Sequence, residues 1–468
     1  MGGKKLSRRE FLKVAGIGLA AGLAGCAPQA TPTPTPKPAA EEKPTAPAVV
    51  KQRTNELKIL AWSHFVPRWN EWLDNFAKEW GEKNGVKVTV DHIHQMDMAA
   101  RGAAQVAAQT GHDIFQWDFG TSSPYLWKNH MVDLTDFINK IEQKYGPFSD
   151  IGRQAGFDPE TGQWFALPIF FVRFPQIYRK DLWDEIVGKS PPDTWEDVLE
   201  GGRKLKAKGY PIGIGLAHSS DPNDTWRGLI WSFGGSIQDE EGNVVINSKE
   251  TVEAVKFARA LYKECMTEEV LAWDDASNNR FLASGKGSWI SNPISAYRSI
   301  QKSDPELAKN IYVWKTPAGP VRRLVVGVLH AFTVWKFAKN IENALAFLEA
   351  YIENYQAAFE ASEGYNHPTN PHLLPSPMPI LSNDPTSDPP DKLSILQTAD
   401  EWSAAFGWPG PNSPAIGEVV QTYIIPDMMA KAATDELTPE EAVAWAEEQI
   451  QRIFKKWQAL MPAYRVRV

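Results

Sequence analysis

The chain has 468 residues, 43% of them hydrophobic and 23% charged, with 49 lysines and arginines against 57 aspartates and glutamates. That acidic balance excludes nucleic acid and anionic lipid surfaces as partners of the folded body, because both are recognised through basic patches. Two cysteines, Cys26 and Cys265, are too few for a disulfide framework.

The first predicted element is an export signal. Ser7-Arg8-Arg9-Glu10-Phe11-Leu12-Lys13 is followed by an apolar run from Val14 to Ala24 and then by Gly25-Cys26. A basic segment, a short apolar core and small residues in that order make a secretory signal, and 11 apolar residues are too few to span a bilayer. The paired arginines with Phe11-Leu12-Lys13 resemble the twin-arginine signal, and Leu23-Ala24-Gly25-Cys26 resembles the bacterial lipobox. The resemblance implies removal of residues 1–25, diacylation of Cys26, and anchoring to membrane lipid on the outer face of the cytoplasmic membrane. Residues 26–53, with Thr31-Pro-Thr-Pro-Thr-Pro36, cannot bury a core and read as an extended stalk. Without the signal, 44 basic residues face 56 acidic ones and Cys265 is the remaining thiol. About 418 residues follow the stalk, which is the length of two domains.

Leu57 to Trp62 is a short apolar run and predicts a strand. A helix follows, with Trp69, Trp72, Leu73, Phe76 and Trp80 at three- and four-residue steps, its aromatics expected against a sheet. Val86–Val90 alternates as a strand, a second helix covers about 99–110, and Asp113-Ile-Phe-Gln116 is another strand. Alternation of strand and helix predicts an α/β protein with a parallel sheet covered on both faces. Thr194, with Asp197 three residues on, caps a helix that Gly209 ends. Asp239–Asn243 is a turn between short strands, and Val252, Val255, Ala258, Leu261 and Tyr262 mark an amphipathic helix. Thr438-Pro439-Glu440-Glu441 opens a last helix, to about Trp457. The stretch from His367 to Pro390 is loop, with eight prolines among 24 residues. No internal repeat of fixed period is present.

Three stretches together resemble the extracellular solute-binding proteins of ABC importers, the family that includes the maltose-binding protein. Asp113-Ile-Phe-Gln-Trp117 with Gly120, Leu126 and Met131-Val-Asp-Leu134 is similar to a segment whose aromatic lines the ligand cleft. Ala166-Leu-Pro-Ile169 leading to Ile177-Tyr-Arg-Lys-Asp-Leu182 resembles a first interlobe crossover, and Val326-Gly-Val-Leu329 with Asn340–Leu348 resembles the return. The resemblance covers about Leu57 to Lys456. It implies a two-lobed periplasmic-binding-protein-like fold of type II. Residues 54–167 and 330–413 would form one lobe and residues 172–327 and 416–468 the other, with a hinged cleft between them. It also implies a monomeric sugar receptor that serves ABC permease subunits.

Candidate ligand contacts follow from strand ends and from that resemblance. Trp117 and Asp118 end a strand before Gly120-Thr-Ser-Ser-Pro124 and offer an aromatic face and a carboxylate. Ser63 and His64 follow the first strand; His94, Gln95 and Asp97 leave the second. One of Trp226 and Trp231 is expected in the cleft and the other in the core. Asn292 matches a family loop in which Ile294 replaces an aromatic, with Tyr297 as a substitute. Arg173, beside Val172 at the crossover, suits an acidic sugar, and Tyr365-Asn366 suits the cleft rim. Nineteen tryptophans fit a sugar ligand, since indole faces suit apolar C–H patches, although periodic Trp is usually core.

Enzyme motifs are missing. Gly188-Lys189-Ser190 lacks the upstream glycine of a phosphate loop, which is Trp183 here, and there is no Gly-x-Ser-x-Gly or His-Glu-x-x-His. No metal site is expected, since His92 and His94 alternate with no further ligand nearby, and no cofactor is expected. The expected function is capture of a mono- or oligosaccharide outside the cell. A polyol, sugar acid, glycerol phosphodiester or polyamine on the same fold is the alternative, and a surface polysaccharide hydrolase stands further off.

Overall fold

The first strand–helix–strand stretch folds as its periodicity requires. In the computed structural model, which describes residues 55–159 and 161–460, strands β1 (Glu56–Trp62), β2 (Lys87–Ile93), β3 (Ile114–Asp118) and β4 (Leu167–Val172) come first. Strands β5 (Gln176–Arg179), β6 (Ile212–Gly213), β7 (Trp289–Ser291) and β8 (Ile311–Trp314) follow, then β9 (Val328–Val334) and β10 (Asn366–Pro368). The export signal, the stalk and Cys26 lie outside the described residues. No helix among the described residues is long and apolar enough to cross a membrane.

Six strands form one sheet in the order β10-β4-β9-β3-β1-β2, and four form another in the order β8-β5-β7-β6. β1 pairs in parallel with both β2 and β3, as the alternation predicts. The sheet as a whole is mixed, which corrects the parallel expectation: β9 runs antiparallel between β3 and β4, and β10 is antiparallel to β4. The cause is topological. The chain leaves this sheet after Val172, builds the second sheet, and re-enters at Val328 directly beside Val172, so β9 runs back along β4. No right-handed strand–helix–strand crossover is made at that re-entry, so nothing imposes parallel pairing.

The helices that hold these sheets are α1 (Pro67–Asn84), α2 (Met98–Ala108), α3 (Trp195–Ala207), α4 (Ser220–Phe233), α5 (Lys249–Cys265), α6 (Ile341–Glu353) and α7 (Pro439–Leu460). The aromatic stripe of α1 divides its work. Trp69 faces the sheet, in contact with His64 and Phe170 of β4. Trp72, Phe76 and Trp80 meet Tyr351 and Phe347 of α6 instead. Gly85 ends α1 at φ +66°, a left-handed conformation that costs glycine nothing. Thr194 and Asp197 form the capping box of α3, each side chain accepting from the other's backbone N–H. Thr438 and Glu441 do the same for α7.

Two predicted features are reduced. The turn at Asp239–Asn243 is closed by a single bridge between Gln238 and Val244 and not by strands. The Pro-rich stretch opens as β10 and contains two short helical turns, Pro371–Leu373 and Pro379–Ser382. Cys265 is buried at the end of α5, where its thiol donates to the Leu199 carbonyl.

Candidate functional site

Strand ends converge on one place. Trp62 closes β1, Asp118 closes β3 and Val172 closes β4, so their last side chains gather where the carboxyl ends of these strands open. Facing them are Ser220 and Asp221 at the start of α4, the loop residue Asp275, and Asn292-Pro293 immediately after β7. Between the two sides lies a small cavity with about 30 Å3 of free space, also lined by Phe65, Gln95, Phe174, Ser295, Val328, His330 and Tyr365.

One wall is aromatic. The His330 ring is sandwiched between Trp62, 4.8 Å between centroids, and Phe170, 4.5 Å, each 25° from parallel. The pairing of β9 with β4 slips between His330 and Ala331, opposite Pro168. A bulge there re-aims a side chain, and a proline that cannot donate to the ladder tolerates it. Gln116 ties the Trp62 backbone to the His330 ring: its Oε1 accepts from the Trp62 backbone N–H at 3.0 Å and its Nε2 lies 3.4 Å from His330 Nδ1. Burial pushes the pKa of His330 well down, so its ring is neutral.

The rest of the lining is polar. Asp118 Oδ1 accepts from Gly120 N at 2.8 Å. Asp275 Oδ1 accepts from Ser220 N at 2.6 Å, and its Oδ2 accepts from Gln95 Nε2 at 3.0 Å. That last bond joins the end of β2 to the second sheet's side of the cavity. Asn278 Nδ2 donates to Asp221 Oδ2 and to Asn292 Oδ1, and Asn292 Nδ2 donates to Asn279 Oδ1 at 2.8 Å. Burial and the neighbouring aspartates push the Tyr365 hydroxyl well above its ordinary pKa.

Of the residues singled out from sequence, Asp118, Gln95, Asn292 and Tyr365 line this cavity. The others stand elsewhere. Trp117 points to the opposite face of β3, buried against Phe115 and Trp335, with its Nε1 donating to Thr333 Oγ1 at 2.9 Å. Trp226 and Trp231 are both core: Trp226 Nε1 donates to the Gly215 carbonyl at 2.8 Å, and Trp231 packs on Trp408. Neither reaches the cavity, because Ser220 and Asp221 at the helix start occupy that position.

Ser63 and Asp97 are exposed. His64 sits one layer behind Trp62, its Nδ1 accepting from Val66 N at 2.8 Å and its Nε2 2.9 Å from Asn366 Oδ1. Burial lowers its pKa to about 4. Arg173 is an internal brace, donating to the carbonyls of Gly364, Tyr365 and Leu396 with Nη1 3.1 Å from His367 Nδ1. Tyr297 is buried and donates to Ser387 Oγ at 3.0 Å. Sequence reasoning missed Trp62, Phe174, Asp221, Asp275 and His330. A signal was present for Trp62, the last residue of its strand as Asp118 is of β3.

Burial raises the pKa of Asp118 from its ordinary 3.8 to about 7. The folded protein therefore holds a proton that the unfolded chain has released, so this contribution to stability is full below about 3.8 and lost as pH rises to about 7. Asp118→Asn keeps the oxygen that Gly120 N uses. Its melting temperature should match the parent's at pH 4 and exceed it at pH 8. A gap that is constant with pH would contradict the assigned titration.

A family described as bacterial extracellular solute-binding protein matches residues 67–358. A binding protein of Brucella abortus (strain 2308) is 26% identical over 212 residues, 44% of this chain and 50% of that protein. The chain thus spans about half the length of the Brucella relatives that it matches. The diacetylchitobiose-binding protein of Streptomyces coelicolor is 21% identical over 392 residues, 78% of this chain and 84% of that one. Among solved structures, a sugar transporter protein of Arthrobacter chlorophenolicus with bound laminaribiose has a TM-score of 0.72 at 16% identity, over 85% of this chain and 99% of that chain. Identity that low shows a shared fold.

Proposed function

We propose that this chain, which belongs to the bacterial extracellular solute-binding protein family, captures a mono- or oligosaccharide in the cavity between its two sheets and delivers it to an ABC permease. One observation carries the reading: the aromatic side chains Trp62, Phe65, Phe174 and Tyr365 and the polar side chains Asp118, Gln95, Asp221, Asp275 and Asn292 line a single cavity. A sugar ring has both faces that such a site requires, apolar C–H patches for the rings and hydroxyls for carboxylates and amides. The relative named for diacetylchitobiose and the neighbour holding laminaribiose support a carbohydrate over other small solutes.

Residues 54–167 with 330–413 and residues 172–327 with 416–468 act in this reading as two lobes that close on the solute by a hinge at the crossings. Lipid on Cys26 and the proline stalk hold the receptor beside its permease outside the cytoplasm. It works as a monomer and performs no chemistry on its cargo.

Titrating a sugar library into the purified protein tests this. A bound ligand is expected to raise the melting temperature, change tryptophan fluorescence and leave the solute unaltered. Trp62→Ala should weaken that binding about tenfold or more, the loss of one stacking face. Conversion of the sugar to product would overturn the receptor reading.

A further inference from the structure

Gln95 and Met96 are neighbours on the short helical turn Gln95–Asp97, which follows β2 on the side of the six-stranded sheet. Both reach the opposite side. Gln95 is buried, and its Nε2 donates to Asp275 Oδ2 at 3.0 Å. Met96 is 45% exposed, and its Sδ lies 4.0 Å from the hydroxyl of Tyr423. Tyr423 heads the helix Ile424–Ala433, which packs on α4 and α5. One turn therefore makes an inner contact beside the cavity and an outer contact at the surface.

Each end of these contacts is held by its own side. Thr121 Oγ1 donates to the Gln95 carbonyl at 3.0 Å, and His94 Nδ1 accepts from Met96 N at 3.3 Å. Across from them, Asp275 Oδ1 accepts from Ser220 N at 2.6 Å. Tyr423 has φ +55°, a conformation that a bulky residue avoids unless its surroundings hold it there. Its ring stacks on His218 at 4.9 Å and 8°, and His218 Nε2 is 2.7 Å from Asp427 Oδ1. The two sides also touch at Gly120, where a Cβ would stand 2.9 Å from Ser220 Oγ. The free space left between them, about 30 Å3, has room for about two waters. A sugar ring with its hydroxyls does not fit there until the sides part. Parting breaks the Gln95–Asp275 and Met96–Tyr423 contacts, while the bonds within each side survive it.

We infer that the Gln95–Asp97 turn is a latch that holds the two sides of the cavity together, so that a solute enters only after it releases. The inference rests on the receptor reading for the purpose of the cavity and adds a regulated entry to it. The latched form is closed to solute, so the apparent affinity is the intrinsic affinity reduced by the fraction of molecules whose latch is released.

A distance measured across the cavity tests the latch with no solute added. Spin labels go on Arg101→Cys in α2 and Arg280→Cys in the helix Ser277–Ala283, both exposed positions just beyond the latch and its partner loop. The full chain carries Cys26→Ser, and Cys265 is buried, so the introduced thiols alone take the label. Double electron–electron resonance should give one dominant short distance for this parent. Gln95→Ala should add a longer distance and raise the ratio of long to short about fivefold, the worth of one lost hydrogen bond. Met96→Ala, a change at an exposed position that leaves Gln95 in place, should raise it about twofold, and the double variant should exceed either alone. A parent dominated by the longer distance, or a distribution that neither single variant nor the double variant moves, overturns the latch. Both results leave the receptor reading untouched, because no solute takes part. Failure of every sugar in the library to bind overturns that reading and leaves the measured latch standing.

Discussion

Trp117→Ala is expected to destabilise the protein by about 3–5 kcal/mol, the range for removing a large buried aromatic, and to leave the affinity of the folded protein for its solute within about twofold. The indole is fully buried, 4.4 Å from Phe115 between ring centroids, and its N–H bond to Thr333 ties β3 to β9. Helix α2 lies so close that a Cβ on Gly102 would stand 2.7 Å from the indole Cη2, so glycine there is what lets the helix seat on this ring. Truncation leaves a cavity that a helix backbone cannot collapse to fill. Urea unfolding measures the first effect and calorimetry below the unfolding transition the second. A tenfold loss of affinity with little loss of stability would move Trp117 back to the cleft and contradict the placement of β3.

Arg173→Met should cost about 3 kcal/mol or more, because it removes one buried group that satisfies several others. The guanidinium donates to three backbone carbonyls in two separate segments, around 364–365 and at 396, and lies beside His367, whose Nε2 is 2.9 Å from Asp400 Oδ2. Methionine matches the volume and none of the hydrogen bonds, so the carbonyls become buried acceptors without donors. Burial lowers the pKa of Arg173 to about 9, the cost of holding a cation away from water, and no cavity-lining residue shares its bonds except through the Tyr365 backbone. A melting temperature within a degree or two of the parent's would show that water replaces the arginine, and the brace would then be discarded.

The order of strands and helices was legible because it depends on local spacing. The apolar run before Trp62, the three- and four-residue steps of α1 and the Thr194–Asp197 and Thr438–Glu441 boxes act within one element, where sequence distance and spatial distance coincide. Candidate contacts fared less evenly for a reason of period. Alternation along β3 says that Phe115 and Trp117 share one face while Gln116 and Asp118 share the other, but not which face meets the cavity. A shift of one residue reverses the answer, as it does between Trp62, which lines the cavity, and Ser63, which is exposed. Trp226 and Trp231 failed for the same kind of reason: their helix begins at Ser220, so its first turn and not its middle reaches the cavity.

The sequence by itself therefore determined that this is an α/β chain, what its elements are, and the family to which it belongs, since those rest on short-range pattern and motif order. Only the tertiary structure decided that Trp62 and not Trp117 lines the cavity, that Arg173 braces the interior, and that Asp118, Asp221 and Asp275 meet there. Asp118, Asp221 and Asp275 are brought together because the chain leaves one sheet at Val172, builds another and returns at Val328. Their burial and their mutual repulsion arise from that meeting, and no local spacing in the sequence encodes it.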